Sequence, residues 1–397
     1  MALIERLLLK GREMRSTFAL LDDVVYRLKA AAALLNISEN TLRNYLRDSG
    51  MEIQRANKKN PASPAVRLFT IADVFALAQW RREQDLIKKL PGGPVVIAVD
   101  LIKGGVGKST TAGELGIQLA LIGYRVLMVD LDVQSNLTQL MGYESDLTID
   151  EAAQNDLNED AIITGTFATL CTQYMESKSG RGTRMEDISS IIKRPFGPHG
   201  PALIPSDTFL GDLEQAFTYA KGNRELVFRN LFKDSAAGHI PGLNISEYDF
   251  VIFDCPPSIS FSSTNAIAAA DLVIAPIRMD SFAVKGLSRL VSEINGLSER
   301  SPEVRPQLLI LPTHYSTNIT RVSRMQHQLQ AYKSNLSPTV ISASELFPKT
   351  QENYLPLTLQ SPTAAPVGEY RLFTEFLLSV VAKNQKKSRV TKMETAQ

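Results

Sequence analysis

The chain has 397 residues, of which 44% are hydrophobic and 21% charged, with a formal net charge of +1. This is an ordinary globular balance, with length enough for two or more domains. No apolar run reaches the roughly 20 residues of a membrane span, and two cysteines, Cys171 and Cys255, make no disulfide framework and suit a reducing cytosol.

The apolar patch of Met1 to Lys10 is broken by Glu5 and Arg6 and has no small-residue cleavage site after it, which argues against a secretory signal. His199, His239, His314 and His327 show no metal-ligand spacing and read as ordinary surface or core residues. Charge is unevenly placed. Residues 1–90 carry 16 Lys and Arg against 10 Asp and Glu, whereas the remainder carries 27 against 32. A basic first part joined to a near-neutral body hints at a nucleic-acid-binding module.

In chain order, the pattern predicts a helix over Leu3–Val25 (region 1–25), with Leu3, Leu7, Met14, Phe18 and Leu21 as a stripe for core packing or a contact between subunits. Region 26–90 reads as a winged helix-turn-helix domain. A short helix at Ala30–Leu35 is followed by a turn, Asn36-Ile37-Ser38, with Ser38 as the cap, and then a second helix over Glu39–Asp48. Leu35, Ile37, Leu42 and Leu46 face inward, which leaves Asn40, Arg43, Asn44 and Arg47 outward, residue types that reach base edges and phosphates. A basic hairpin over Gln54–Pro64, with Lys58 and Lys59 at its tip, and an amphipathic helix over Ile71–Leu86 complete the domain.

Leu90-Pro91-Gly92-Gly93-Pro94 is a turn-rich linker. From here to residue 382, apolar strands alternate with helices. Strands are predicted at Val95–Leu101, Arg125–Leu131, Asp249–Asp254, Leu272–Pro276 and Gln307–Leu311, and helices at Ser109–Leu121, Ser262–Ala270 and Val284–Leu297. The fold class is therefore α/β, a mostly parallel sheet covered by helices on both faces and preceded by the small helical domain. Residues 143–200 are less regular, with a mobile loop expected at Ser177–Thr183, and 383–397 reads as a basic disordered tail.

The chemistry sits at strand ends. After the first strand comes Lys103-Gly104-Gly105-Val106-Gly107-Lys108-Ser109-Thr110, a loop whose amides curl around phosphate, with Lys108 adding charge and Ser109 a hydroxyl for Mg²⁺. The ordinary form of this loop has a glycine at the position of Ile102, and here a second lysine, Lys103, stands at the entrance. The following helix aims its N-terminus at the anion. The second strand ends in Val129-Asp130-Leu131-Asp132, where a carboxylate can orient water. The third ends in Phe253-Asp254-Cys-Pro-Pro257, an acid placed to hold Mg²⁺.

These three motifs, with Gly286-Leu287, resemble the ParA family of partition ATPases, within the deviant-P-loop group that includes MinD and the nitrogenase iron protein. The preceding helix-turn-helix makes the chain similar to the larger plasmid-type members that repress their own operon. The resemblance spans about residues 95–380 and implies an ATP/ADP-switched homodimer. In it Lys103 reaches the partner's phosphates, Lys108 binds the β/γ-phosphates, Ser109 and Asp254 position Mg²⁺, Asp132 acts on the hydrolytic water and Thr110 contacts the α-phosphate. It further implies slow hydrolysis stimulated by a ParB-like centromere-binding partner, non-specific binding to DNA in the ATP state, and a cytoplasmic, nucleoid-associated protein without membrane contact.

Two positions depart from the family. Val133 stands where proline is usual, and Tyr315-Ser-Thr-Asn-Ile-Thr lacks the usual arginine, leaving Arg321 and Arg324 as the nearest candidates for non-specific DNA contact. The alternatives are a nucleotide-sensing transcription regulator and a MinD-like positioning ATPase; the basic tail argues against the membrane helix of the latter. No suitably placed cysteine pair supports a nitrogenase-type cluster.

Overall fold

The computed structural model describes residues 14–56, 65–90, 92–179, 184–219, 222–278, 283–316 and 329–394. Its centre is a six-stranded sheet in the order β5-β4-β6-β3-β7-β8, every pairing parallel. The strands are β3 (Val95–Val99), β4 (Val126–Asp130), β5 (Ala202–Ile204), β6 (Phe250–Asp254), β7 (Leu272–Arg278) and β8 (Gln307–Thr313). β3, β4 and β6 are buried at all five positions, which is why they read as unbroken apolar runs rather than alternating ones. β5 carries only three residues between two prolines, Pro201 and Pro205, too short a run for periodicity to reveal.

The helix after the phosphate loop, Lys108–Ile122, is buried at every position from Thr111 to Leu121. Gly116 lets it lie directly on β4, because a Cβ there would collide with the Met128 side chain. Two cores flank the sheet. One runs through β4, β6 and the helices Phe167–Lys178 and Val227–Ala236; the other joins the Lys108–Ile122 helix to the C-terminal helix, Ala365–Glu394.

The second core does not stop at the 90–94 linker. It continues into the N-terminal helices Leu28–Leu34, Glu39–Ser49 and Ile71–Glu83, and through Ile53 and Phe69 it flanks the antiparallel pair β1 (Arg55–Ala56) and β2 (Val66–Arg67). Ser38 accepts the Thr41 amide as the helix cap, and Gly50 closes the same helix in the left-handed region. Phe75 stacks on Phe196, and Arg82 forms a bidentate pair with Asp249 at 2.6 and 2.9 Å. The Tyr26 hydroxyl donates to the Leu359 carbonyl at 2.6 Å, and Arg371 donates to the last turn of the first helix at the Ala33 carbonyl.

Three expectations change. Among the described residues of the 1–25 region there is no long helix, only a single turn at Leu21–Asp23. The segment is drawn out along the body instead: Arg15 bridges Leu157, Thr17 lies against Gly142, and Phe18 stacks on Tyr354 with ring centres 5.0 Å apart. The tail is helical through Glu394 rather than disordered from 383, as a continuation of the last body helix. Of the loop placed at 177–183, Ser177 and Lys178 belong to a helix, and 180–183 lie outside the described residues.

Candidate functional site

The phosphate loop leaves β3 between β6 and β7, at the carboxyl ends of the strands. Gly105 and Gly107 take φ of 68° and 86°, a region that favours glycine, and Gly107 turns the chain directly into the helix. The Lys108 ammonium is buried and donates to the carbonyls of Lys103 (3.1 Å) and Leu101 (3.3 Å). Lys103 is half-buried at the loop's entrance. β8 braces the loop from the side, because the Thr313 hydroxyl donates to the Val106 carbonyl at 2.8 Å. Residues Gly104 to Thr110 thus line a cavity of about 420 Å³, within the size range of small-ligand sites.

Asp132 and Asp254 behave differently from each other, and from Asp130, the last residue of β4. Asp130 is enclosed and accepts the Thr138 amide (2.9 Å), the Thr138 hydroxyl (2.8 Å) and the Asp132 amide (3.1 Å), so its oxygens are committed to the fold. Asp132 borders the cavity, and among the described residues its carboxylate accepts the Gln134 amide alone, at 3.1 Å. Asp254 is fully buried beneath the loop, and among the described residues neither carboxylate oxygen has a hydrogen-bond partner. Burial and the neighbouring Asp130 push its pKa well above the usual carboxylate range, while Ser109 and Lys108 pull it back. An orphaned buried carboxylate close to a hydroxyl is a donor set that fits a hard divalent cation.

Asp100, just past β3, is a further buried acid, and among the described residues neither of its oxygens is hydrogen-bonded. Burial raises its pKa to about 7 against the pull of Lys108. Sequence reasoning passed over it, and over the opposite wall of the cavity: His314, Ile341, Phe347, Gln351 and Tyr370. These come from segments with no motif, and only the fold assembles them.

The other predicted residues are elsewhere. Asn40, Arg43, Asn44 and Arg47 share the exposed face of the Glu39–Ser49 helix, where Arg43 bonds Asn40 (2.7 Å) and Glu39 (3.3 Å) and Arg47 bonds Asp48 (3.1 Å). Lys58, Lys59, Arg321 and Arg324 lie outside the described residues. Among the described residues no group of three or more His, Cys, Asp and Glu is arranged to hold a metal ion, and no helix is long and apolar enough to cross a membrane.

Residues 95–310 match the AAA domain family, a span that holds the phosphate loop, both acids and five of the six strands in full. The chain belongs to this family, in its ParA branch. Among its relatives, PomZ, a cell division protein of Myxococcus xanthus, is 24% identical over 70% of this chain and 75% of its own. The chromosome partitioning protein ParA of the same organism is 27% identical over 60% of this chain and 71% of its own. A solved partition protein has the same fold at a TM-score of 0.55, covering 96% of both chains at 18% identity. That likeness runs through the N-terminal helices as well as the ParA-type body.

Proposed function

We propose that the chain is an ATP-driven DNA partition protein that works as a homodimer. The observation that carries this reading is the lysine-entered phosphate loop set over a buried, unpartnered carboxylate, Asp254. Gly104 to Thr110 wrap the phosphates of ATP or ADP with their amides, at the end of a helix whose dipole favours anions. Lys108 turns from the loop carbonyls to the β/γ-phosphates, and Thr110 meets the α-phosphate. Lys103, at the entrance, reaches the nucleotide of the second subunit, so that ATP joins the dimer. Ser109 and Asp254 hold Mg²⁺, which supplies charge neutralisation at the β/γ-phosphates when bound. Asp132 borders the cavity and orients the attacking water.

The ATP dimer binds DNA without sequence preference, through contacts that include Arg321 and Arg324, and a ParB-like centromere-binding partner accelerates its slow hydrolysis. The N-terminal winged helix presents Asn40, Arg43, Asn44 and Arg47, with Lys58 and Lys59 at the wing, to the operator of its own genes. The protein works in the cytoplasm on the nucleoid.

The test is a titration of operator and random duplexes with no nucleotide, ADP and ATP. ATP should promote salt-steep binding to random DNA; equal binding with ADP and ATP would overturn the switch. Lys103→Ala should keep nucleotide binding and lose ATP-dependent dimerisation, and a dimer that persists removes the trans role. Likeness to PomZ, a cell division protein, favours a positioning ATPase as the second reading. It is preferred if the operator shows no affinity above random DNA.

A further inference from the structure

One residue in the wall of the nucleotide cavity has no part in the chemistry above. β8 ends at Thr313, latched to the phosphate loop by its hydroxyl, and His314 follows with φ of 49°. Residues with side chains avoid this left-handed region. The backbone beyond it is also fastened: the Tyr315 amide donates to the Ile341 carbonyl, and its own carbonyl accepts the Ala343 amide, both at 3.0 Å. An unfavourable backbone persists where its surroundings over-determine it, commonly at functional sites.

The consequence is where the ring goes. His314 Cε1 lies 3.7 Å from the position a Cβ would take on Gly107, so the imidazole rests against the last glycine of the phosphate loop. It borders the 420 Å³ cavity and also an adjoining one of about 480 Å³, which opens from Ser109 and Thr110 and extends to Phe347 and Pro348. The two cavities share Ser109, Thr110 and His314, so His314 stands beside the way into the second space for a nucleotide held by its phosphates in the loop. Burial and the charge of Arg278, at the end of β7, both hold the ring below its ordinary pKa. A neutral imidazole offers one donor and one acceptor, which matches a hydroxyl-bearing sugar better than a phosphate.

We infer that His314 is the sugar-contacting residue of the site, packing against the ribose and hydrogen-bonding it, so that the protein selects nucleoside phosphates over bare pyrophosphate. The inference rests on the nucleotide reading of the loop. It is tested on the full chain by calorimetric titration of ADP and of pyrophosphate, each with Mg²⁺, against wild type, His314→Ala and His314→Gln. His314→Ala should bind ADP about tenfold more weakly, the loss of one hydrogen bond and its packing, with pyrophosphate affinity unchanged. His314→Gln, which keeps a donor and an acceptor, should recover part of the loss. Unchanged ADP affinity in His314→Ala overturns the inference, as does a parallel fall for ADP and pyrophosphate, which would make the ring a prop for the loop. Wild-type protein that binds neither ligand overturns the nucleotide reading itself, and the sugar contact with it.

Discussion

At the scale of single residues, three aspartates within a few positions of strand ends have separate duties, set by what surrounds each carboxylate. Asp130 is consumed by Thr138 and the Asp132 amide, and so holds the strand end to the next helix. Asp132 keeps lone pairs facing the cavity, and Asp254, with Ser109 and Lys108 near it, has no hydrogen bond on either oxygen among the described residues. Asp132→Ala should therefore leave nucleotide binding intact while lowering single-turnover hydrolysis by about 10²-fold or more, the usual worth of a positioned acid or base. Retained hydrolysis would remove Asp132 from the chemistry. Asp254→Asn should do two opposite things. It relieves an uncompensated buried carboxylate, on the order of 1 kcal/mol in favour of the ligand-free fold, and it abolishes Mg²⁺-dependent turnover. Thermal melting and an ATPase assay on the same preparation check both, and a lower melting temperature would show that Asp254 is partnered after all.

At the scale of elements, the Lys108–Ile122 helix ties the site to both ends of the chain. On one side Glu114 accepts the Leu357 amide (2.6 Å), the Thr358 amide (3.1 Å) and the Thr358 hydroxyl (2.6 Å), anchoring the short helix Leu357–Gln360. Burial raises its pKa from the usual 4.5 to about 7. The folded chain thus holds more protons than the unfolded chain between those values. This group's contribution to stability falls as pH rises through that window and levels off above it. Urea unfolding of wild type and Glu114→Gln at pH 5 and pH 8 should show the wild type losing on the order of 3 kcal/mol more across the interval; identical slopes would deny Glu114 the role. At its other end the same helix stops at Gly123, whose carbonyl accepts from Arg82 of the N-terminal module. Arg82 and Asp249 are only 12% and 10% exposed. Removing one partner strands the other charge, so Arg82→Ala should cost about 3–5 kcal/mol in chemical denaturation. A loss below about 1 kcal/mol would place the pair among solvated ones.

At the scale of the whole molecule, the helical module and the ATPase body share one core. Composition and the Pro-Gly linker suggest two separable units, but Phe75, Tyr26 and Leu34 are buried in the cluster that also contains Phe250 and Phe373. A fragment beginning at residue 91 would expose the surface around Phe196 and Asp249. It is expected to aggregate or to melt well below the full chain in size-exclusion and thermal measurements; a soluble fragment with an undiminished melting temperature would restore the view of a tethered module. For the same reason the proposed DNA contact is better dissected by Arg43→Ala and Arg47→Ala on the exposed helix face than by truncation.

The sequence by itself determined the parallel sheet and the place of the glycine-rich loop, because both are written locally. Unbroken apolar runs mark strands buried on two faces, and glycine, lysine and hydroxyl spacing marks a loop that works through its own backbone. The positions of Asp132 and Asp254 were legible because one lies two residues past such a strand and the other ends one. Tertiary structure alone decided the far wall of the cavity, the left-handed backbone of His314, and the path of residues 14–25, whose apolar spacing suggested a helix until Tyr354 and Gly142 offered better partners. It also decided the fusion of module and body. Contacts such as Tyr26 with Leu359, 333 positions apart, leave no periodicity in either segment, since each side chain is selected by a neighbour that only the folded chain supplies.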